Sequence, residues 1–204
     1  MLNHLLSRTR PAGLLLALFT LTLAVSSCAK RTDETTTSST TTTPVESTQT
    51  STAATPSDAE IAATVTAAND TDIENAKLAL EKSSNADVKQ FAKEMVAAHT
   101  QLNQQGSALL SKLNVTPTDN PTSTSIKTGG ESTRSTLKGL SGADFDKAYV
   151  NAEVDLHQAV LDQLDNTLIP SAQNAELKSM LEQARPTISA HLDHAKSLKT
   201  KLGA

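Results

Sequence analysis

Asn85-Ala86-Asp87-Val88-Lys89-Gln90-Phe91-Ala92-Lys93-Glu94-Met95-Val96-Ala97-Ala98-His99-Thr100-Gln101-Leu102 is the stretch that decides the fold. Val88, Ala92, Met95, His99 and Leu102 recur at steps of four and three, and the rhythm continues through Gly106 and Leu109 to Leu113. Residues so spaced share one helical face, because three or four residues nearly complete a turn. The spacing predicts a helix from about Asn85 to Leu113 with a histidine on its apolar stripe.

Three further helices follow from the same rhythm. Ser57-Asp58-Ala59-Glu60 reads as a capping box opening a helix that runs to about Lys82, with Ile61, Val65, Ala68, Ala76 and Leu80 inward. A third, about Ala143 to Leu168, carries Val150, Val154, His157, Leu161, Leu164 and Leu168. A fourth, about Asn174 to Leu202, carries Leu177, Leu181, Ala184, Ile188, His191, Ala195, Leu198 and Leu202, with Pro186 predicting a kink. No segment alternates with period two, so no sheet is expected. The fold class is therefore all-α. Short connections make two hairpins, and the long Asn114–Gly142 crossover between them predicts an antiparallel four-helix bundle of ferritin-like topology. That crossover, rich in Thr, Ser, Pro and Gly, reads as a loop with Gly129-Gly130 as a flexible turn and a short helix near Arg134–Leu140. A repeat supports two hairpins: Asn85-Ala86-Asp87-Val88-Lys89 is echoed by Asn174-Ala175-Glu176-Leu177-Lys178.

Upstream of the helices the chain changes character twice. Arg8 and Arg10 precede an apolar run from Pro11 to Val25 that ends in Val25-Ser26-Ser27-Cys28. Fifteen apolar residues reach about 22 Å as a helix, short of a ~30 Å hydrocarbon core. Residues 1–27 thus read as a signal peptide, and the small residues before Cys28 resemble a bacterial lipobox. Cys28 is the single cysteine, so an internal disulfide is excluded and lipid attachment is expected, with acyl chains such as palmitate. Ala29 after it resembles an outer-membrane sorting signal; the expected location is exported and lipid-anchored, facing the periplasm or the cell surface. Residues 28–56 form a tether: Thr32 to Ser57 holds 12 Thr and 5 Ser in 26 residues, which cannot bury enough surface to order itself. Residues 57–204 are the expected bundle domain.

Composition narrows the function. Taking Arg8 and Arg10 from the 18 basic residues leaves 16 against 22 acidic ones, a formal −6 that repels phosphates and argues against nucleic acid. With no Trp, and only Phe91, Phe145 and Tyr149 after the leader, stacking platforms are excluded. There is no Gly-x-Ser-x-Gly, no second thiol and no glycine-rich phosphate loop, so nothing points to a catalytic residue.

The histidines are the chemistry-bearing residues. His99, His157 and His191 fall on apolar stripes of three helices. Counted from the helix ends, His99 and His157 lie at matching depth, and His191 about a turn and a half away, level with Glu153. Glu153 and His157 are spaced i,i+4 and His191 and His194 i,i+3, so each pair is expected to share a face. Glu74 is the acid expected to complete the group from the first helix. Neither the second nor the fourth helix has Glu three before its histidine, which departs from the paired Glu-x-x-His of dinuclear ferritin-like sites. The histidines are expected to be neutral and bonded to a carboxylate or carbonyl, fixing helix register. The alternative is a looser site for a divalent transition metal, Zn, Cu or Fe, using Glu74, His99, Glu153, His157, His191 and His194.

Phe91 to His99, Leu140-Ser141-Gly142-Ala143-Asp144-Phe145-Asp146-Lys147-Ala148-Tyr149-Val150 leading to His157, and Arg185-Pro186 before His191-Leu192 resemble a bacterial family of secreted proteins. It is the domain-of-unknown-function family four-one-four-two. The resemblance spans about Ser57 to Leu202 and implies a ferritin-like four-helix bundle in proteins often labelled outer-membrane. The family's recurring histidines fall on His99, His157 and His191, and it implies no activity. The leading expectation is a non-enzymatic envelope or stress-related protein with a binding or structural role; the alternative is a metal-binding or metal-dependent redox bundle. The membrane, through Cys28, is the one partner expected.

Overall fold

The computed structural model describes residues 55–204, and among them every regular element is helical. In chain order these are α1 (Asp58–Lys82), α2 (Ala86–Leu113), α3 (Pro121–Lys138), α4 (Gly142–Gln163), a π-helical turn (Leu164–Leu168), α5 (Ile169–Ser171) and α6 (Ala175–Leu202). None is long and apolar enough to cross a membrane. Cys28, the signal peptide and most of the tether lie outside the described residues.

The helix starts are written in the caps. Ser57 Oγ accepts from the Glu60 N–H (3.3 Å) while Glu60 Oε2 accepts from the Ser57 N–H (2.8 Å), the expected capping box. Asn85 and Asn174, the heads of the repeat, cap α2 and α6 alike. Each Oδ1 accepts two backbone N–H groups, from Asp87 and Val88 in one case and Glu176 and Leu177 in the other. The repeat is thus two copies of one capping device. Asp58 joins the two halves, its carboxylate accepting the N–H groups of Gln173 (2.8 Å) and Asn174 (3.0 Å).

The crossover departs from expectation. Where a loop with only a short helix near Arg134–Leu140 was expected, Pro121–Lys138 forms an 18-residue helix packed on α1. Few apolar side chains drive this, so periodicity gave no warning. Pro121 supplies its first turn, where the missing N–H is harmless. Asn120 both caps it and donates through Nδ2 to Glu60 O (2.9 Å) and Thr64 Oγ1 (3.1 Å) of α1. Lys82 Nζ holds the far end through Lys138 O (2.7 Å), over a buried Leu137. Gly129-Gly130 is no turn. Gly130 lies mid-helix where α3 meets α1, and a Cβ there would stand 2.6 Å from Thr71 Cγ2.

α1 packs against α2, α3 and α4, and α6 packs against α4 and α2. α1 is consequently buried on several sides, with small residues such as Ala62, Ala67 and Ala79 letting its neighbours approach. Two apolar clusters result. One gathers Val88, Phe91, Met95, Phe145, Tyr149 and Val150; the other gathers Ile61, Leu161, Leu168, Leu177, Leu181 and Ile188. Each fully buried large side chain contributes about 1.5–3 kcal/mol. The π-helical turn precedes Pro170, whose ring in an α-helix would press on the carbonyl four residues back; the wider turn relieves that contact. Pro186 sits at an exposed position within a continuous α6.

Candidate metal centre

Between the two apolar clusters each long helix but α3 contributes polar side chains to the interior. Asp72 lies on α1 between Ala68 and Ala76, and His99 on α2 one turn beyond Met95. Glu153 and His157 lie on α4 between Val150 and Leu161, and His191 on α6 between Ile188 and Ala195. All five are at least 96 % buried by exposures of 0 to 4 %. The ring centroids of His99, His157 and His191 stand 5.3 to 5.6 Å apart, so the three imidazoles form a nearly equilateral triangle. His191 therefore joins the others rather than lying a turn and a half away. The count from helix ends locates only the backbone, and an imidazole reaches several ångströms beyond it.

Two hydrogen bonds fix which nitrogens face inward. His157 Nδ1 donates to the Glu153 carbonyl at 2.9 Å, so in the neutral ring Nε2 carries a bare lone pair. His99 Nδ1 donates to Asn69 Oδ1 at 2.9 Å; Asn69 Nδ2 donates to Asn103 Oδ1 (2.9 Å), and Asn103 Nδ2 to the Asp70 carboxylate (2.7 Å). That relay starts at an exposed carboxylate, which can only accept, so it orients both amides and presents the lone pair of His99 Nε2 as well. Both bare Nε2 atoms face one oxygen, Asp72 Oδ2, at 3.3 Å each.

The electrostatics follow from burial. His99 is pushed down to about 3 by burial and by the neighbouring His157 and His191; burial lowers His157 and His191 to about 4. The imidazoles are therefore neutral at pH 7, as expected. Burial raises Asp72 to about 7, and burial together with the Asp72 charge holds Glu153 well above the usual carboxylate range. Tyr149, one turn before Glu153, is raised by burial and by these two acids.

The cluster has too many acceptors. His99 Nε2, His157 Nε2, His191 Nδ1 and both oxygens of Asp72 and Glu153 are buried without a hydrogen-bond partner. Both bare Nε2 atoms face the same Asp72 oxygen, and the single proton that oxygen can carry reaches only one of them, so the other imidazole is left without that donor. Buried orphans cost about 1–3 kcal/mol each, and a cation would answer the converging lone pairs together. The spacing suits one. A tetrahedral ion about 2.0–2.1 Å from its ligands sets them ~3.3–3.4 Å apart, whereas a good hydrogen bond spans roughly 2.7–3.2 Å. The donor atoms of His99, His157 and His191 lie within 4.8 Å of one another, as do those of Asp72, Glu153 and His157. A cavity of about 10 Å³ beside Asp72, His99 and His157 has room for one small atom. Imidazole and carboxylate without sulfur suit Zn, Cu or Fe.

Two expected members stand elsewhere. Glu74 is exposed and pairs with Arg134 of α3 at 2.8 Å. It is two residues from Asp72, so it points to nearly the opposite side of α1. His194 lies outside the triangle, its Nδ1 hydrogen-bonded to the Glu94 carboxylate at 3.0 Å and its ring edge-on to Phe91. Three residues turn a helix by 300°, and the missing 60° carries it out of the interior. Asp72 and Asn69 were not foreseen, although a signal existed: the stripe Ile61, Val65, Ala68, Ala76, Leu80 skips one step, and residue 72 is that step.

Neither curated proteins nor solved structures provide a match for this chain. A family model does, over residues 43–198, a span that takes in Asp72, His99, Glu153, His157 and His191. The chain belongs to the family described as Domain of unknown function (DUF4142).

Proposed function

We propose that this protein is an exported, lipid-anchored metal-binding bundle, its helices arranged as an antiparallel four-helix, ferritin-like domain that holds one divalent transition-metal ion between two apolar layers. One observation carries the metal reading: two imidazole lone pairs, each fixed by a separate hydrogen bond, converge at 3.3 Å on one carboxylate oxygen whose single proton could serve only one of them. A purely register-setting cluster needs only satisfied hydrogen bonds, and this one leaves acceptors over. The ligand set is His99, His157, His191 and Asp72, with Glu153 next to it. This differs from the two-metal ferritin-like pattern, and it supports a single ion. Export and anchoring rest on the basic–apolar–Cys28 leader.

The test is elemental analysis of protein extracted with detergent from its native envelope. One Zn, Cu or Fe per chain is expected, lost in the His99→Leu/His157→Leu double variant. Metal-free protein from metal-replete cells would refute the centre. Cys28→Ser should release the protein from the detergent-extracted fraction and change the mass of the mature form; unchanged fractionation and mass would refute the anchor.

A further inference from the structure

The aliphatic end of the domain contains a cavity of about 430 Å³, walled by α1, α2, α3, α4, the π-helical turn and α6. Its volume falls within the roughly 300–1,000 Å³ of small-molecule sites and well above packing defects. No charged side chain lines it. Val65, Leu102, Ile126, Leu156, Val160 and Met180 line it and are each only half-buried, so apolar surface from all five long helices is left facing one space. α3 closes one side with the small polar residues Thr122 and Ser125 beside Ile126, which leaves the space unfilled. The inner end meets the metal centre: Ala68, Asn69, Leu156, Val160 and Ile188 line both this cavity and the small one beside Asp72, His99 and His157.

We infer that this cavity binds an uncharged, predominantly hydrocarbon molecule, such as a medium-length alkyl chain, with its leading end at the His99–Asp72 side of the metal centre. A charged ligand would enter without a counter-charge and pay its full desolvation, which excludes anions and cations. An aromatic cage is absent, so an aliphatic ligand is favoured over a quaternary cation. Asn69 stands at the junction with its amide already committed to His99 and Asn103, so the junction presents a fixed polar edge to whatever enters. That the inner end is the approach to a metal rests on the function proposed above; the binding of a hydrocarbon does not.

The experiment uses the full chain carrying Cys28→Ser, so that neither attached acyl chains nor detergent compete. N-phenyl-1-naphthylamine is titrated and displaced with 1-decanol and with decyltrimethylammonium. Saturable binding is expected, displaced by decanol at least tenfold more effectively than by the cation. Val160→Trp and Ala184→Phe, which fill the cavity from α4 and α6, should each weaken probe binding tenfold or more. If Val160→Trp fails to fold, Ala184→Phe decides. Absence of saturable binding, or binding unchanged in the folded variants, overturns the inference. Zinc titrations run in parallel separate the two claims. Probe binding without zinc binding leaves the cavity standing and removes the metal reading, while zinc binding without probe binding does the reverse.

Discussion

The two ends of the domain are built differently although the same helices run through both. At one end Phe91, Phe145, Tyr149, Met95 and Val88 are wholly buried, and their rings meet edge-on or stacked at centroid distances of 6.2 and 6.4 Å. At the other end the side chains are aliphatic, α4 passes through a π-helical turn, and Leu102, Leu109 and Met180 stay half-buried around open space. One end holds the fold and the other leaves room. The His–Asp layer lies at the boundary, gripped from the aromatic side and reachable from the aliphatic side.

The largest expected effect is at the aromatic end. Phe91→Ala should cost about 3–5 kcal/mol in urea denaturation, because the ring touches Tyr149 and His194 and nothing can collapse into its place. Leu102→Ala should cost about 1 kcal/mol or less, since its side chain already faces a cavity. Equal costs would erase the contrast between the ends.

A smaller effect tests the unexpected helix. Gly130→Ala should destabilise by about 1–3 kcal/mol, because the added Cβ meets Thr71 at 2.6 Å. Gly129→Ala has open space and should stabilise α3 by about 0.5–1 kcal/mol. If both behave alike, α3 does not lie against α1 as described.

The boundary layer should show itself through pH. His99, His157 and His191 are held at about 3 to 4, against 6.5 in the unfolded chain. Below about pH 6.5 the unfolded chain therefore takes up protons that the fold refuses, and stability falls with acid. Asp72, raised to about 7, acts oppositely: the fold keeps a proton that the unfolded chain has released above about 3.8, so its contribution is lost as pH rises. Asp72 offsets only part of the three-histidine trend between about pH 4 and 6.5, so the metal-free wild type should still lose stability with acid there, but less steeply than the histidines alone would give. Asp72→Asn removes the offset, and its stability should fall more steeply with acid across that range. An identical slope in the two proteins would mean that Asp72 is not protonated in the fold.

The helices that carry the histidines were legible because a three–four rhythm reports burial on one side, and α2, α4 and α6 each have one buried side. α1 is surrounded, so its apolar pattern fades, and the interior acid was assigned to Glu74 instead of Asp72. Only the last turns of α3 were anticipated, by the short helix expected near Arg134–Leu140; the rest escaped notice because Asn120, Lys82 and Glu74 hold it by polar contacts, and such contacts leave no periodic trace. The tautomer-fixing relay from Asp70 through Asn103 and Asn69 to His99 crosses between two helices, and no spacing within one helix could have revealed it.

The central claim, that the buried His–Asp layer holds one divalent ion, is tested most directly by calorimetric zinc titration of metal-stripped protein at pH 7 in buffers of different ionisation enthalpy. The account predicts one zinc per chain with release of about one to two protons, drawn from Glu153 and Asp72 because the imidazoles are already neutral. The His99→Leu/His157→Leu variant should fold at least as stably without metal and bind none. Absence of stoichiometric binding by the wild type, or unchanged binding by the variant, would contradict it.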